Sequence, residues 1–102
     1  MKMILVYITN PTRKEAEKVA SHLLKRKLIA CANIFPIESV FRWKGRINRT
    51  KEYVVIAKTL SRNFQKIKKE VRRIHKYEIP CIIRIKADAS REFERWVKEE
   101  VE

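Results

Sequence analysis

Ser39-Val40-Phe41-Arg42-Trp43-Lys44-Gly45-Arg46-Ile47 alternates between two faces, with Val40 and Arg42 on one and Ser39, Phe41 and Trp43 on the other. A period of two is the mark of a β-strand. Lys44-Gly45-Arg46 is the predicted reversal, because Gly45 is the only glycine in the chain and glycine accepts the positive φ of a tight turn. The return strand is predicted over Lys51–Thr59, where Tyr53, Val55 and Ala57 oppose Val54 and Ile56. Both faces of Tyr53–Ala57 are apolar, as in a central strand covered above and below. Ile29–Ile37 reads as the strand feeding this hairpin, with Pro36 marking an edge position or a bulge.

Outward from the hairpin, the chain repeats one pattern on each side. Met3-Ile4-Leu5-Val6-Tyr7-Ile8 is a continuous apolar run, again suited to a central strand. Thr12 with Glu15 three residues on is a capping box. The helix it opens carries Ala16, Val19, Ala20, Leu23 and Leu24 as one stripe, with Lys14, Lys18, His22 and Lys25 toward water. Downstream, Ser61 is the predicted cap of a second helix with the stripe Phe64, Ile67, Val71 and Ile74. Its opposite face is basic: Lys66, Lys68, Lys69, Arg72, Arg73 and Lys76. Pro80–Ala87 reads as a last strand, and Asp88 or Ser90 caps a short terminal helix bearing Phe93, Trp96, Val97 and Val101.

The order is β-α-β-β-α-β plus a helix, two β-α-β halves joined by a hairpin. Right-handed crossovers place the first and third strands in the centre and both main helices on one face. The predicted fold is therefore an α+β ferredoxin-like βαββαβ sandwich with an extended hairpin and an extra C-terminal helix. Residues 1–102 form one domain, the size at which single domains cluster. The topology puts Cys31 and Cys81 on opposite edges, so no bridge within the chain is expected. It also leaves apolar residues on a sheet face that only the terminal helix can cover, together with a ribbon carrying Phe41, Trp43 and Ile47. Exposed aromatic surface of this kind marks an interface, and a homo-oligomer is expected.

Composition narrows function by exclusion. With 25 Lys+Arg against 12 Asp+Glu the formal charge is +13, yet 45% of the residues are hydrophobic, so a disordered basic tail is excluded. No apolar run approaches the ~18 residues of a membrane span, and Met1–Thr9 is too short for a signal peptide. A cytoplasmic protein with no membrane partner is expected. One glycine cannot build a phosphate loop or a dinucleotide fingerprint, and no HExxH or nucleophile elbow is present. The soft-metal donors are Cys31, Cys81, His75 and His22, with Met1 and Met3 as marginal thioethers; such donors suit copper or zinc. Lone cysteines of this kind also pack as small hydrophobes, and a histidine at a helix end complements the dipole. The third strand lacks the glycine-flanked aromatics with which ferredoxin-like sheets read RNA.

Several strings together resemble the CutA divalent-cation-tolerance family. Leu28–Ile34 looks like the start of its second strand, Ser39–Ile47 with Glu52 and Ile56-Ala57-Lys58-Thr59 its hairpin, His75-Lys76-Tyr77-Glu78-Ile79-Pro80 its His-Pro-Tyr-x-x-Pro segment, and Phe93-Glu94-Arg95-Trp96 its final helix. The resemblance implies a cytoplasmic homotrimer of architecture similar to the PII signalling proteins. It further implies a link to copper and other divalent ions, and no catalytic reaction. Trp43, Glu52, Lys58, His75 and Tyr77 match positions lining its inter-subunit clefts. The chain departs from the family at Ile8 and Ile74, where copper-holding members carry Cys and His, at Lys76 for Pro, and at Cys81 for Glu. The last exchange, a thiol for a carboxylate, favours soft over hard cations, while the first two remove the family's usual copper donors. The expected metal site is His75 with Cys31 or Cys81 of a neighbouring subunit, taking copper or zinc weakly, with no ion needed for folding. Two other readings use other residues. One is a binder of nucleic acid or small anions on the basic helix faces, disfavoured by the sheet but kept open by the +13 charge. The other is an enzyme using Glu52, Lys58 and Tyr77.

Overall fold

The computed structural model describes residues 2–102 and bears out the sandwich. Eight elements follow in order. They are β1 (Met3–Asn10), α1 (Arg13–Lys25), β2 (Cys31–Trp43), β3 (Arg46–Leu60), a single 3₁₀ turn (Ser61–Asn63), α2 (Phe64–Ile74), β4 (Ile82–Lys86) and α3 (Arg91–Glu100). The four strands form one antiparallel sheet in the order β2-β3-β1-β4, so β3 and β1 are central as their two apolar faces demand.

Strand parity divides the sheet. Ile4, Val6, Ile8, Val55 and Ala57 point to the helix side, where Ala16, Val19, Leu23, Ile67 and Val71 bury them in one core. Leu5, Tyr7 and Thr9 share the other face with Val54, Ile56 and Lys58 of β3 and Ile83 and Ile85 of β4. There α3 covers one end only, packing Val97 and Val101 on Met3 and Leu60. Ile83 and Ile85 remain 48% and 41% exposed.

The hairpin runs longer than the residue pattern suggests. β2 and β3 pair without interruption from Cys31↔Lys58 to Trp43↔Arg46, straight through Pro36↔Tyr53, so the proline makes no bulge. It sits on an edge strand, where a missing N–H is tolerated. β1 stops at Asn10↔Tyr53, so from Ile37↔Glu52 onward the two strands pair only with each other. Seven residues per strand make a free ribbon of about 24 Å at the usual rise. Lys44 and Gly45 both have positive φ, 50° and 77°, the pattern of a two-residue type I′ turn. No atom lies close to where a Cβ at Gly45 would be, so conformation rather than space selects glycine there.

Helix starts follow the expected chemistry in two of three cases. Thr12 Oγ1 accepts from the Glu15 N–H at 3.1 Å, and Ser90 Oγ, not Asp88, accepts from the Phe93 N–H at 3.3 Å. Ser61 caps nothing, since the 3₁₀ turn intervenes and α2 begins at Phe64 without a side-chain cap. Asn63 instead turns inward, its Nδ2 donating to the Leu28 carbonyl and to Thr59 Oγ1, both at 3.3 Å.

His22 does not face open water. Its Nε2 lies 2.7 Å from Glu70 Oε1 across the α1–α2 seam, with Arg73 at 2.8 Å and Arg26 at 3.6 Å from the same oxygen. The Arg73 and His22 hydrogen bonds hold the Glu70 carboxyl down to about 2, against a usual 4.5. A depressed folded value contributes stability above the unfolded value and loses it as pH falls through the folded one. Chemical denaturation should therefore show wild type losing stability between pH 4.5 and about 2, with a flatter profile for Glu70→Gln.

Candidate functional site

The end of β1, the root of the ribbon and the loop after α2 meet on the open sheet face. They enclose a cavity of about 790 Å³ walled by Tyr7, Ile37, Phe41, Trp43 and Ile79, with Glu52, Tyr77 and Cys81 among its polar groups. The cavity arises from the fold directly. Because the ribbon outruns β1, Glu52 and the aromatics of its inner face stand beside the loop rather than beneath another strand.

Two side chains hold the loop in place. His75 lies just past the last turn of α2, its Nε2–H donating to the Thr9 carbonyl at 2.8 Å while its Nδ1 accepts the Tyr77 N–H at 3.0 Å. A carbonyl can only accept and an amide N–H can only donate, so these partners assign the neutral Nε2–H tautomer. The Tyr77 ring stacks obliquely on the imidazole, centroids 4.9 Å apart, and its hydroxyl donates to Glu52 Oε2 at 2.6 Å. Burial and the Glu52 carboxylate push the Tyr77 phenol well above its usual range. Burial also pushes the Cys81 thiol up, against an opposing pull from hydrogen bonds with Thr9. Both groups are thus protonated near neutral pH, and Glu52, only 7% exposed, is the buried acceptor of the cavity.

Of the residues singled out from the sequence, Trp43, Glu52, Tyr77 and Cys81 line this cavity. His75 is the post behind its wall. Lys58 shares the face of Glu52, but six residues of extended chain separate them by about 20 Å, and its Nζ donates to Asn33 Oδ1 instead. Cys31 pairs with Lys58 at the β2 edge, whereas Cys81 precedes β4 at the other; both are free thiols. Three strand spacings alone separate those edges by about 14 Å. Met3 is buried under α3, and Met1 lies outside the described residues. The residue pattern missed Thr9, whose carbonyl and hydroxyl anchor both His75 and Cys81. Its place at the end of an apolar strand, before Asn10-Pro11, was the only sign available.

A resident metal ion does not fit one chain. Among the described residues no three His, Cys, Asp or Glu side chains converge. Both nitrogens of His75 are engaged, the Glu52 carboxylate accepts from Tyr77, and Cys81 holds its proton. Metal ligation requires free nitrogen and thiolate.

The family described as CutA1 divalent ion tolerance protein matches residues 4–100. The divalent-cation tolerance protein CutA of Archaeoglobus fulgidus is 45% identical over 98 residues, covering 95% of this chain and 96% of that protein. Its counterpart from Pyrococcus horikoshii is 39% identical over 99 residues, covering 96% and 97%. The solved structure of the Archaeoglobus fulgidus protein, there called periplasmic, superposes with a TM-score of 0.96 at 44% identity over 98% of this chain and 99% of that one.

The Tyr77–Glu52 bond generates a prediction. Tyr77→Phe strands a buried carboxylate oxygen and should cost about 1–3 kcal/mol at neutral pH by urea denaturation. Because the folded phenol titrates above the usual 10.0, its contribution falls as pH rises past 10. The gap between wild type and variant should narrow there.

Proposed function

This chain belongs to the CutA1 divalent ion tolerance family, and we propose that it works as a homotrimeric, cytoplasmic, non-enzymatic module. In this reading it answers divalent ions or relays a PII-like signal through clefts between its subunits. The observation that carries the reading is the half-covered sheet. Apolar side chains of β1 and β4, with the inner face of the ribbon, stand open on one side of a sheet whose other side is packed by α1 and α2 over its four-stranded part. A two-stranded ribbon of this length is marginal alone and gains support by lying on a neighbour. The number three follows from the PII-like architecture that the motif resemblance implies. No helix in the described residues is long and apolar enough to cross a membrane. The cytoplasm is proposed because a reducing compartment suits two free thiols.

A binding role is favoured over catalysis by the state of the cavity groups. Tyr77 and Cys81 are both displaced away from neutral pH, so neither is poised as a nucleophile or base there. Soft divalent or monovalent cations, copper above all and zinc second, are proposed as weakly bound cargo of the assembled clefts. Trp43, Glu52 and Tyr77 line such a cleft from one copy, and Lys58 reaches it from another. Cys81 and Cys31 of neighbouring copies would supply the sulfur, and the engaged ring of His75 acts by positioning the loop rather than by ligation.

Light scattering at micromolar concentration should give three chains per particle, and Ile83→Asp with Ile85→Asp should dissociate it; a wild-type monomer would contradict the proposal. Calorimetry with copper or zinc should give weak isotherms that strengthen from pH 6.5 to 8 as the thiol proton is displaced. These should persist in His75→Ala and vanish in Cys81→Ser. Loss in His75→Ala with retention in Cys81→Ser would overturn the assignment of donors.

A further inference from the structure

On the far side of the molecule from the open sheet face, α2 presents a surface of another kind. Its core stripe Phe64, Ile67 and Val71 faces the sheet. At 3.6 residues per turn the outward half is then made of Arg72, Gln65, Lys69, Arg73 and Lys66, four cations and one amide, with Lys68 half-buried at its margin. Lys69 is the hub, with Lys66 three residues before it and Arg72 and Arg73 three and four after, all exposed. The only acid of the helix is Glu70, and its carboxylate is already enclosed by His22, Arg73 and Arg26. Among the described residues no ion pair involves Lys66, Lys69 or Arg72.

The patch continues past the helix. Lys68 Nζ lies 5.3 Å and Arg84 Cζ 5.0 Å from the centroid of the same Phe64 ring, so one aromatic holds two cations and joins α2 to the outer edge of β4. Like charges gathered this way repel one another. Here the one acid of the helix, Glu70, is taken up by His22, Arg73 and Arg26, and Lys66, Lys69 and Arg72 are left without an acidic neighbour in the helix, which is the arrangement of a surface awaiting an extended polyanion.

We propose that the outer face of α2, continued onto β4 through Phe64, docks the phosphate backbone of double-stranded nucleic acid without reading its sequence. The chemistry of the face selects among polyanions. No large hydrophobic side chain of α2 is exposed, so nothing there inserts into a lipid surface. The face bears no Trp or Tyr to anchor a protein partner. No exposed aromatic stacks on an unpaired base either, which disfavours single strands. What remains is a run of Lys and Arg over about 11 Å of helix, matched to successive phosphates. The proposal is independent of the open sheet face and of any metal.

Fluorescence anisotropy with a labelled 20-base-pair DNA duplex, and with the same duplex in RNA, tests it on the intact protein. Binding should weaken steeply with salt, with a slope of log K against log salt of about −3.6 if four phosphates are met. Lys66→Gln/Lys69→Gln/Arg72→Gln should lower affinity at least tenfold at 50 mM salt and flatten the slope by about 2.7. Its circular dichroism melt should stay unchanged, because these side chains make no ion pair. Arg91→Gln/Arg95→Gln/Lys98→Gln removes the same charge from α3 and should stay within twofold of wild type. An equal loss in the α3 variant, salt-independent binding, or equal affinity for phosphatidylserine vesicles or polyglutamate would overturn the proposal.

Discussion

Strand β3 has to be covered twice. Val55 and Ala57 look toward α1 and α2, while Val54 and Ile56 look the other way, and the chain supplies two helices to the first side and one to the second. Everything distinctive about the molecule follows from that imbalance. The helix side closes into a continuous core; the opposite side closes only near Met3 and Leu60, where α3 lies down. At about 25 cal/mol per Å² of apolar surface, the rest of that face is a standing drive toward association. The projecting ribbon offers each copy an arm with which to meet it.

The ribbon also creates the cavity. Had β1 continued beyond Asn10, it would have paired with β3 next to Glu52 and filled the space that the loop after α2 now borders. Instead His75 grips the Thr9 carbonyl, Tyr77 grips Glu52, and the loop is pinned at both ends of a pocket rimmed by Phe41 and Trp43. The groups that look most reactive on paper are the ones whose lone pairs and protons hold this frame together. In the proposed reading such a pocket receives a ligand, and a neighbouring copy supplies its remaining wall.

Much of this was legible from residues alone, for stated reasons. Gly45 as sole glycine marked the turn, period-two patterning placed the hairpin, and Thr12 announced its helix because cap chemistry is local. What failed was not local. Ser61 offers the same hydroxyl as Ser90, but a 3₁₀ turn and the inward pull of Asn63 on the Leu28 carbonyl moved the start of α2 beyond its reach. His22 fell on a nominally wet face, yet the neighbouring helix brought Glu70 against it. His75 drew attention as a metal donor by its chemistry; only the geometry reveals that both nitrogens serve the backbone. Lys58 and Glu52 share a face, as an even spacing requires, but a shared face is not proximity.

The cations of α2 lie on the helix side, away from the apolar face, while the ribbon carries Arg42, Lys44, Arg46, Arg49 and Lys51 of its own. The central claim is that the open face and ribbon are covered by other copies of this chain. Acrylamide quenching of Trp43 in a Trp96→Phe variant tests it most directly, because a single chain leaves Trp43 38% exposed. At micromolar concentration the account predicts a blue-shifted emission and weak quenching, both reverting when the protein is diluted to dissociation. Quenching of Trp43 as free as that of an exposed indole at every concentration would contradict it.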